Sequence, residues 1–170
     1  MKRIVYNADQ IAEKEVTDFI VRVKAILINS LDEVLLGYSY HQYQFIGGHV
    51  EEGESLEHAI SREVLEETGI LLDVSTLQPD ALMTGYIKDW PMDGRHTKTS
   101  IYYFIIYTDQ EPDIQKVAYT SHESKGKFEL RMIPLKDLKQ ELTYNADIYE
   151  TARGIAKEMI LMLEKLDLIK

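Results

Sequence analysis

The sequence predicts an α/β layered domain built on a mixed sheet. Three observations predict it. Extended, β-branched segments lie both before and after a central helical segment. One later run is apolar without a polar break, as in a strand covered on both faces. Apolar residues near the C-terminus recur at helical spacing.

The elements follow in order. Residues 19–28 (FIVRVKAILI) alternate, with Phe19, Val21, Val23, Ala25 and Leu27 on one face and Arg22 and Lys24 on the other, which predicts a strand. Asn29-Ser30-Leu31-Asp32 supplies turn residues, and residues 33–38 read as its hairpin partner. Residues 43–46 form a short extended segment ending at Gly47-Gly48. A glutamate-rich loop, residues 49–54, leads into a helix over about 55–68, with Leu56, Ala59, Ile60 and Val64 as its buried stripe and Gly69 as its stop. Residues 81–88, 99–107 and 127–133 read as further strands, with a turn-rich loop over 89–98. Over 146–166 the residues Ile148, Tyr149, Ala152, Ile155, Ala156, Met159, Ile160 and Leu163 predict one long amphipathic C-terminal helix. No linker, repeat or low-complexity tract interrupts the chain, so a single domain over residues 1–170 is expected.

Composition narrows the function. The net charge of −10, from 19 basic and 29 acidic residues, argues against a nucleic-acid polymer as partner, because such proteins carry a basic face. A small polyanion remains acceptable if metal ions or local cations screen the acids. The chain has no cysteine, which excludes disulfides, thiolate metal sites and cysteine nucleophiles. The five histidines, His41, His49, His58, His96 and His122, form no close pair suited to zinc. Polar residues Asn7, Asp9 and Gln10 follow the basic start, and no apolar run reaches membrane-spanning length. The expectation is a soluble cytoplasmic protein without a membrane partner.

The informative stretch is residues 48–70, GHVEEGESLEHAISREVLEETGI. Glu63, Glu66 and Glu67 are spaced i, i+3 and i+4, so a helix presents them on one face. Glutamate-rich helices are commonly no more than solvated faces. Three carboxylates on one face nevertheless repel one another, and a divalent cation would reverse the sign of that interaction. All-oxygen donors suit Mg2+ or Mn2+ rather than zinc. Gly47 and Gly48 permit close backbone approach, and the helix N-terminus favours an anion.

This stretch resembles the Nudix box, Gly-x5-Glu-x7-Arg-Glu-U-x-Glu-Glu-x-Gly-U, where U is a bulky aliphatic residue. Gly48, Glu54, Arg62, Glu63, Val64, Glu66, Glu67, Gly69 and Ile70 satisfy every defined position. The order of strands and helices around it is also similar to the family. The resemblance implies a Nudix-type α/β/α sandwich and a Mg2+-dependent hydrolase, with Mn2+ as a substitute. It implies Glu63, Glu66 and Glu67 as metal ligands, with the Gly47 carbonyl as a further one. Glu63 is also implied as general base, with Arg62 orienting the glutamates and Glu54 supporting the site through hydrogen bonds or a metal-held water. One departure is Ile46, where many members carry proline.

The expected reaction is attack of water on a phosphoanhydride bond in a nucleoside diphosphate linked to another moiety, a nucleoside triphosphate included. Some members of the family take the base from a later loop, and Glu123 is the candidate there; Glu129 is another. Arg95, with His96 and Lys98, forms a small basic cluster that could reach phosphate, and Tyr38, Tyr40, Tyr43 and Trp90 could stack on a base. Tyr86 lies 16 residues after Ile70, a placement similar to that of a tyrosine in dinucleoside polyphosphate hydrolases. Such a hydrolase is one alternative. A non-catalytic nucleotide-sensing module is another. A homodimer is left open, since many relatives dimerise and no interface signal is visible.

Overall fold

The structure, a computed structural model, describes residues 1–113, 115–118 and 127–170. Among these, seven strands form one mixed sheet: β1 (Lys2–Tyr6), β2 (Asp18–Ile28), β3 (Glu33–Ser39), β4 (Gln42–Phe45), β5 (Ala81–Ile87), β6 (Thr97–Tyr107) and β7 (Glu129–Pro134). They run in the order β1-β5-β6-β2-β3-β4, with β7 along β3. β1 is parallel to β5 and β2 to β6; the other pairs are antiparallel. Helices α1 (Leu56–Thr68), α2 (Leu135–Ile148) and α3 (Arg153–Lys165) cover the faces. This is the expected α/β layering, with two cores. Ile26, Leu36, Phe45 and Tyr103 pack under α2 and α3, and Val23, Ala25, Ile46 and Phe104 pack under α1. β6 contributes to both, as its unbroken apolar run predicted.

The β2–β3 hairpin is open at its far end, and this opening positions the glycines. β2 pairs with β3 only at Leu27↔Leu35 and Ile28↔Val34. β4 fills the gap: it pairs with β3 and then crosses to β2, where Ile46 lies opposite Ala25 and His49 opposite Arg22. Ala25 N donates to Ile46 O at 2.8 Å, Val23 N to Gly48 O at 3.0 Å and Val50 N to Val21 O at 3.0 Å. Gly47 and Gly48 are thereby fixed against the middle of β2.

α1 begins and ends as its sequence dictates. Ser55 caps the N-terminus, its Oγ accepting from His58 N at 3.2 Å. Gly69 closes the helix in the left-handed conformation with φ 75°. Ala59, Ile60 and Val64 are fully buried on the sheet, each contributing on the order of 1–3 kcal/mol of hydrophobic stabilisation.

The single C-terminal helix expected over 146–166 is not what forms. Tyr149 is extended, with φ −115° and ψ 110°, and a short 3-10 turn at Glu150–Ala152 separates α2 from α3. The reason is packing. Leu138 and Leu142 on α2, and Ala156, Met159 and Leu163 on α3, all reach the same sheet face, so the chain must fold back. The His41 ring stacks on the Tyr149 ring at the bend, 4.4 Å between centroids. Ile148, placed in the buried stripe by its spacing, is 53% exposed. β1 carried no signal because it is an edge strand with little burial. Among the described residues, no helix is long and apolar enough to cross a membrane.

Candidate active site

Arg62 organises the carboxylates of α1. Its Nε donates to Glu54 Oε1 and its Nη2 to Glu54 Oε2, both at 2.9 Å. Nη1 donates to Glu63 Oε1 at 2.7 Å and to Glu66 Oε2 at 3.2 Å, and Nη2 also reaches His49 O at 3.0 Å. Every N–H of the guanidinium is used. The arginine expected to orient the glutamates therefore contacts Glu54, Glu63 and Glu66 together.

The electrostatics differ from one acid to the next. The Arg62 guanidinium holds the Glu54 carboxyl below the usual glutamate range. Burial raises the Glu63 pKa, although Arg62 opposes the shift, and the nearby Glu66 charge adds to it. The Arg62 pKa is pushed further above its ordinary value, chiefly by Glu54. Glu66 is the most open of the three helix acids, with its side chain 38% exposed, whereas Glu67 is 4% exposed. Glu67 turns inward, its Oε2 accepting from Gly47 N at 3.2 Å.

The two glycines serve different needs. Gly47 has φ 135°, and a Cβ there would meet Val23 O at 2.2 Å. Gly48 needs no left-handed backbone; a Cβ there would meet the Glu63 carboxylate at 2.6 Å. The second glycine is a space requirement imposed by Glu63, not a turn.

Lys24 lies beneath this arrangement. It is 9% exposed and its Nζ donates to Phe45 O and Gly47 O, both at 3.0 Å. Burial pushes its pKa down, while Glu67 and, more weakly, Glu158 and Glu63 push it back up. Glu158, on α3, accepts from Tyr103 OH at 2.6 Å. The strand pattern assigned Lys24 only to the face opposite Val23 and Ala25. Its one available signal was a lysine inside an otherwise apolar run.

The residues suit a divalent cation in kind. Glu63, Glu66, Glu67 and the Gly47 carbonyl offer only oxygen donors, and with Glu54 they set four carboxylates against the charges of Arg62 and Lys24. As they stand, no three acidic or histidine side chains among the described residues converge closely enough to enclose an ion. Glu63 and Glu66 are instead drawn onto Arg62. Each gives one oxygen to Nη1, Glu63 its Oε1 and Glu66 its Oε2.

The other candidates are engaged elsewhere. Arg95 forms a two-pronged ion pair with Asp18, with Nε to Oδ2 at 2.7 Å and Nη2 to Oδ1. Tyr86 OH donates to Glu13, which also pairs with Lys98 at 2.7 Å. The basic cluster is thus neutralised by acids of its own surroundings. Asp18 lies six residues along β2 from Lys24, a span of about 20 Å. Tyr38 and Tyr43 pack with Arg131, whose guanidinium carbon lies 3.5 Å from the Tyr38 ring centre. Glu129 pairs with Arg131 at 3.0 Å. Glu123 lies outside the described residues.

The NUDIX domain family model matches residues 18–153. The chain belongs to the Nudix family. Two solved structures share the fold. A MutT protein from Methanosarcina mazei is 20% identical, with a TM-score of 0.54 over 89% of this chain and 94% of that one. A MutT protein from Bacillus halodurans is also 20% identical, with a TM-score of 0.54 over 71% of this chain and 72% of that one. MutT, studied from Aliivibrio salmonicida and Vibrio cholerae, is 24% identical over 71% of this chain and 82% of its own, with a TM-score of 0.47. As a Nudix hydrolase the protein acts on phosphoanhydride bonds. The family takes small nucleotide substrates and generally uses divalent metal ions.

Proposed function

We propose that this Nudix hydrolase is a Mg2+-dependent pyrophosphohydrolase that cleaves a phosphoanhydride bond in a nucleoside diphosphate derivative, with nucleoside triphosphates as the first substrates to test. The observation that carries the reading is the Arg62 array, which gathers Glu54, Glu63 and Glu66 beside the buried Glu67 and Gly47. Likeness in fold to MutT proteins supports beginning with triphosphates. The engagement of Tyr86 with Glu13 lends no support to a dinucleoside polyphosphate.

Glu63, Glu66, Glu67 and the Gly47 carbonyl are the groups that would hold the ion, with Mn2+ an acceptable substitute. When bound, it would neutralise charge on phosphate oxygens and acidify the attacking water. Glu63 accepts the proton of that water. Arg62 keeps Glu63 and Glu66 on the same side of the helix, and Glu54 locks the guanidinium in plane. Arg95 and Tyr86 contribute to substrate binding only by exchanging their present partners for phosphate.

A hydrolysis screen tests the reading. Nucleoside triphosphates, oxidised nucleotides, ADP-ribose, nucleotide sugars and dinucleoside polyphosphates are compared with Mg2+, with Mn2+ and with chelator, alongside Glu67→Gln. Metal-dependent turnover of one class, lost in the variant, is the expected result. No turnover with either metal would sink it in favour of a nucleotide-sensing module.

A further inference from the structure

A lysine ammonium is built into the base of the site. Lys24 stands between Val23 and Ala25, whose N–H groups hold Gly48 O and Ile46 O. Its Nζ donates to Gly47 O, the carbonyl assigned above to a divalent ion, and to Phe45 O, each at 3.0 Å. Glu67 takes the other polar backbone group of the same glycine, accepting from Gly47 N. Gly47 is therefore held from both sides, by a buried cation on its carbonyl and a buried carboxylate on its N–H.

We propose that Lys24 is the resident cation of the metal-free site: it holds the Gly47 carbonyl, screens Glu67, and competes with a divalent ion for that carbonyl. Two positive centres on one carbonyl oxygen repel strongly where little water screens them. The bond to Gly47 O gives way when an ion takes that oxygen, and the bond to Phe45 O keeps the ammonium satisfied in a site that would otherwise penalise it. Lys24 is thus a positioning residue, acting through Gly47 and Glu67. The inference rests on the divalent-ion reading of the site.

The test measures Mn2+ affinity by electron paramagnetic resonance for wild type, Lys24→Met and Lys24→Arg, each first shown to be folded by near-ultraviolet circular dichroism. Methionine keeps an unbranched side chain and removes the charge. The expected result is Mn2+ binding at least about tenfold tighter in Lys24→Met and close to wild type in Lys24→Arg. Unchanged or weaker binding by folded Lys24→Met overturns the inference. Should that variant fail to fold, wild-type crystals soaked in Mn2+ decide. An ion on Gly47 O with Nζ withdrawn supports the proposal; an ion there with Nζ still in hydrogen-bond contact overturns it. Wild-type protein that binds no Mn2+ overturns the divalent-ion reading as well, whereas normal wild-type binding with an unaltered Lys24→Met removes only the role of Lys24.

Discussion

Arg62 and Glu54 face each other in a two-pronged pair, Nε to Oε1 and Nη2 to Oε2, both at 2.9 Å. The geometry leaves Nη1 free to hold Glu63 and Glu66. Only a planar fork can do both at once. Arg62→Lys is therefore expected to lower kcat by about tenfold or more while shifting the melting temperature little. Steady-state kinetics beside thermal unfolding checks this. A kcat within about twofold of wild type would show that the array does not orient the acids.

The two acids nearest Arg62 should give stability profiles of opposite sign in chelator. Glu54 has a depressed pKa, so its contribution is fully present above the ordinary glutamate value and is lost as pH falls through its folded value. Glu63 has a raised pKa, so its ionised form costs stability at neutral pH, and that cost disappears as pH falls through its folded value. Urea unfolding at pH 7 should find Glu54→Gln less stable than wild type and metal-free Glu63→Gln more stable. Both differences should shrink towards pH 4. A destabilised Glu63→Gln at pH 7 would mean that its bond to Arg62 outweighs burial.

Gly47 and Gly48 should fail in different ways when replaced by alanine. At Gly47 the new Cβ meets the backbone oxygen of Val23, and the φ of 135° is itself strained for alanine. Gly47→Ala should cost about 3 kcal/mol or more of stability. At Gly48 the Cβ meets the carboxylate of Glu63, a side chain that can move. Gly48→Ala should fold and lose at least about tenfold in kcat/KM. Equal thermal stability of the two variants would refute the distinction.

These positions also mark what was legible in the sequence. The shared helix face of the box glutamates and the Gly69 stop are local: each depends on residues a turn or two away, so spacing alone predicts it, whereas Ser55, counted within the helix by the sequence, caps it from outside. The Lys24 contact was not local. It depends on β4 crossing to β2, which brings Gly47 and Phe45 to a lysine more than twenty positions earlier. The break at Tyr149 was hidden for the reverse reason. Apolar residues at helical spacing continue through it, and only the shared sheet face beneath α2 and α3 requires the turn. Arg95 was seen as a cation, but Asp18, which pairs with it, lies 77 residues away.

That pairing shapes the expected role of Arg95. The Arg95 side chain is 46% exposed and that of Asp18 25%, so water and salt weaken the ion pair. A charge-assisted bond to phosphate is worth roughly 1.5–3 kcal/mol, enough to draw the guanidinium away from Asp18. If Arg95 exchanges Asp18 for substrate phosphate, Arg95→Gln should raise KM about three- to tenfold and leave kcat within about twofold, since its bonds go to Asp18 and not to the α1 carboxylates. Asp18→Asn should lower KM, because the guanidinium no longer has to leave a carboxylate to reach substrate. Initial-rate kinetics on the best substrate measures both. An unchanged KM in Arg95→Gln would assign the residue to holding the β6 entry loop against β2, and leave phosphate recognition to other groups.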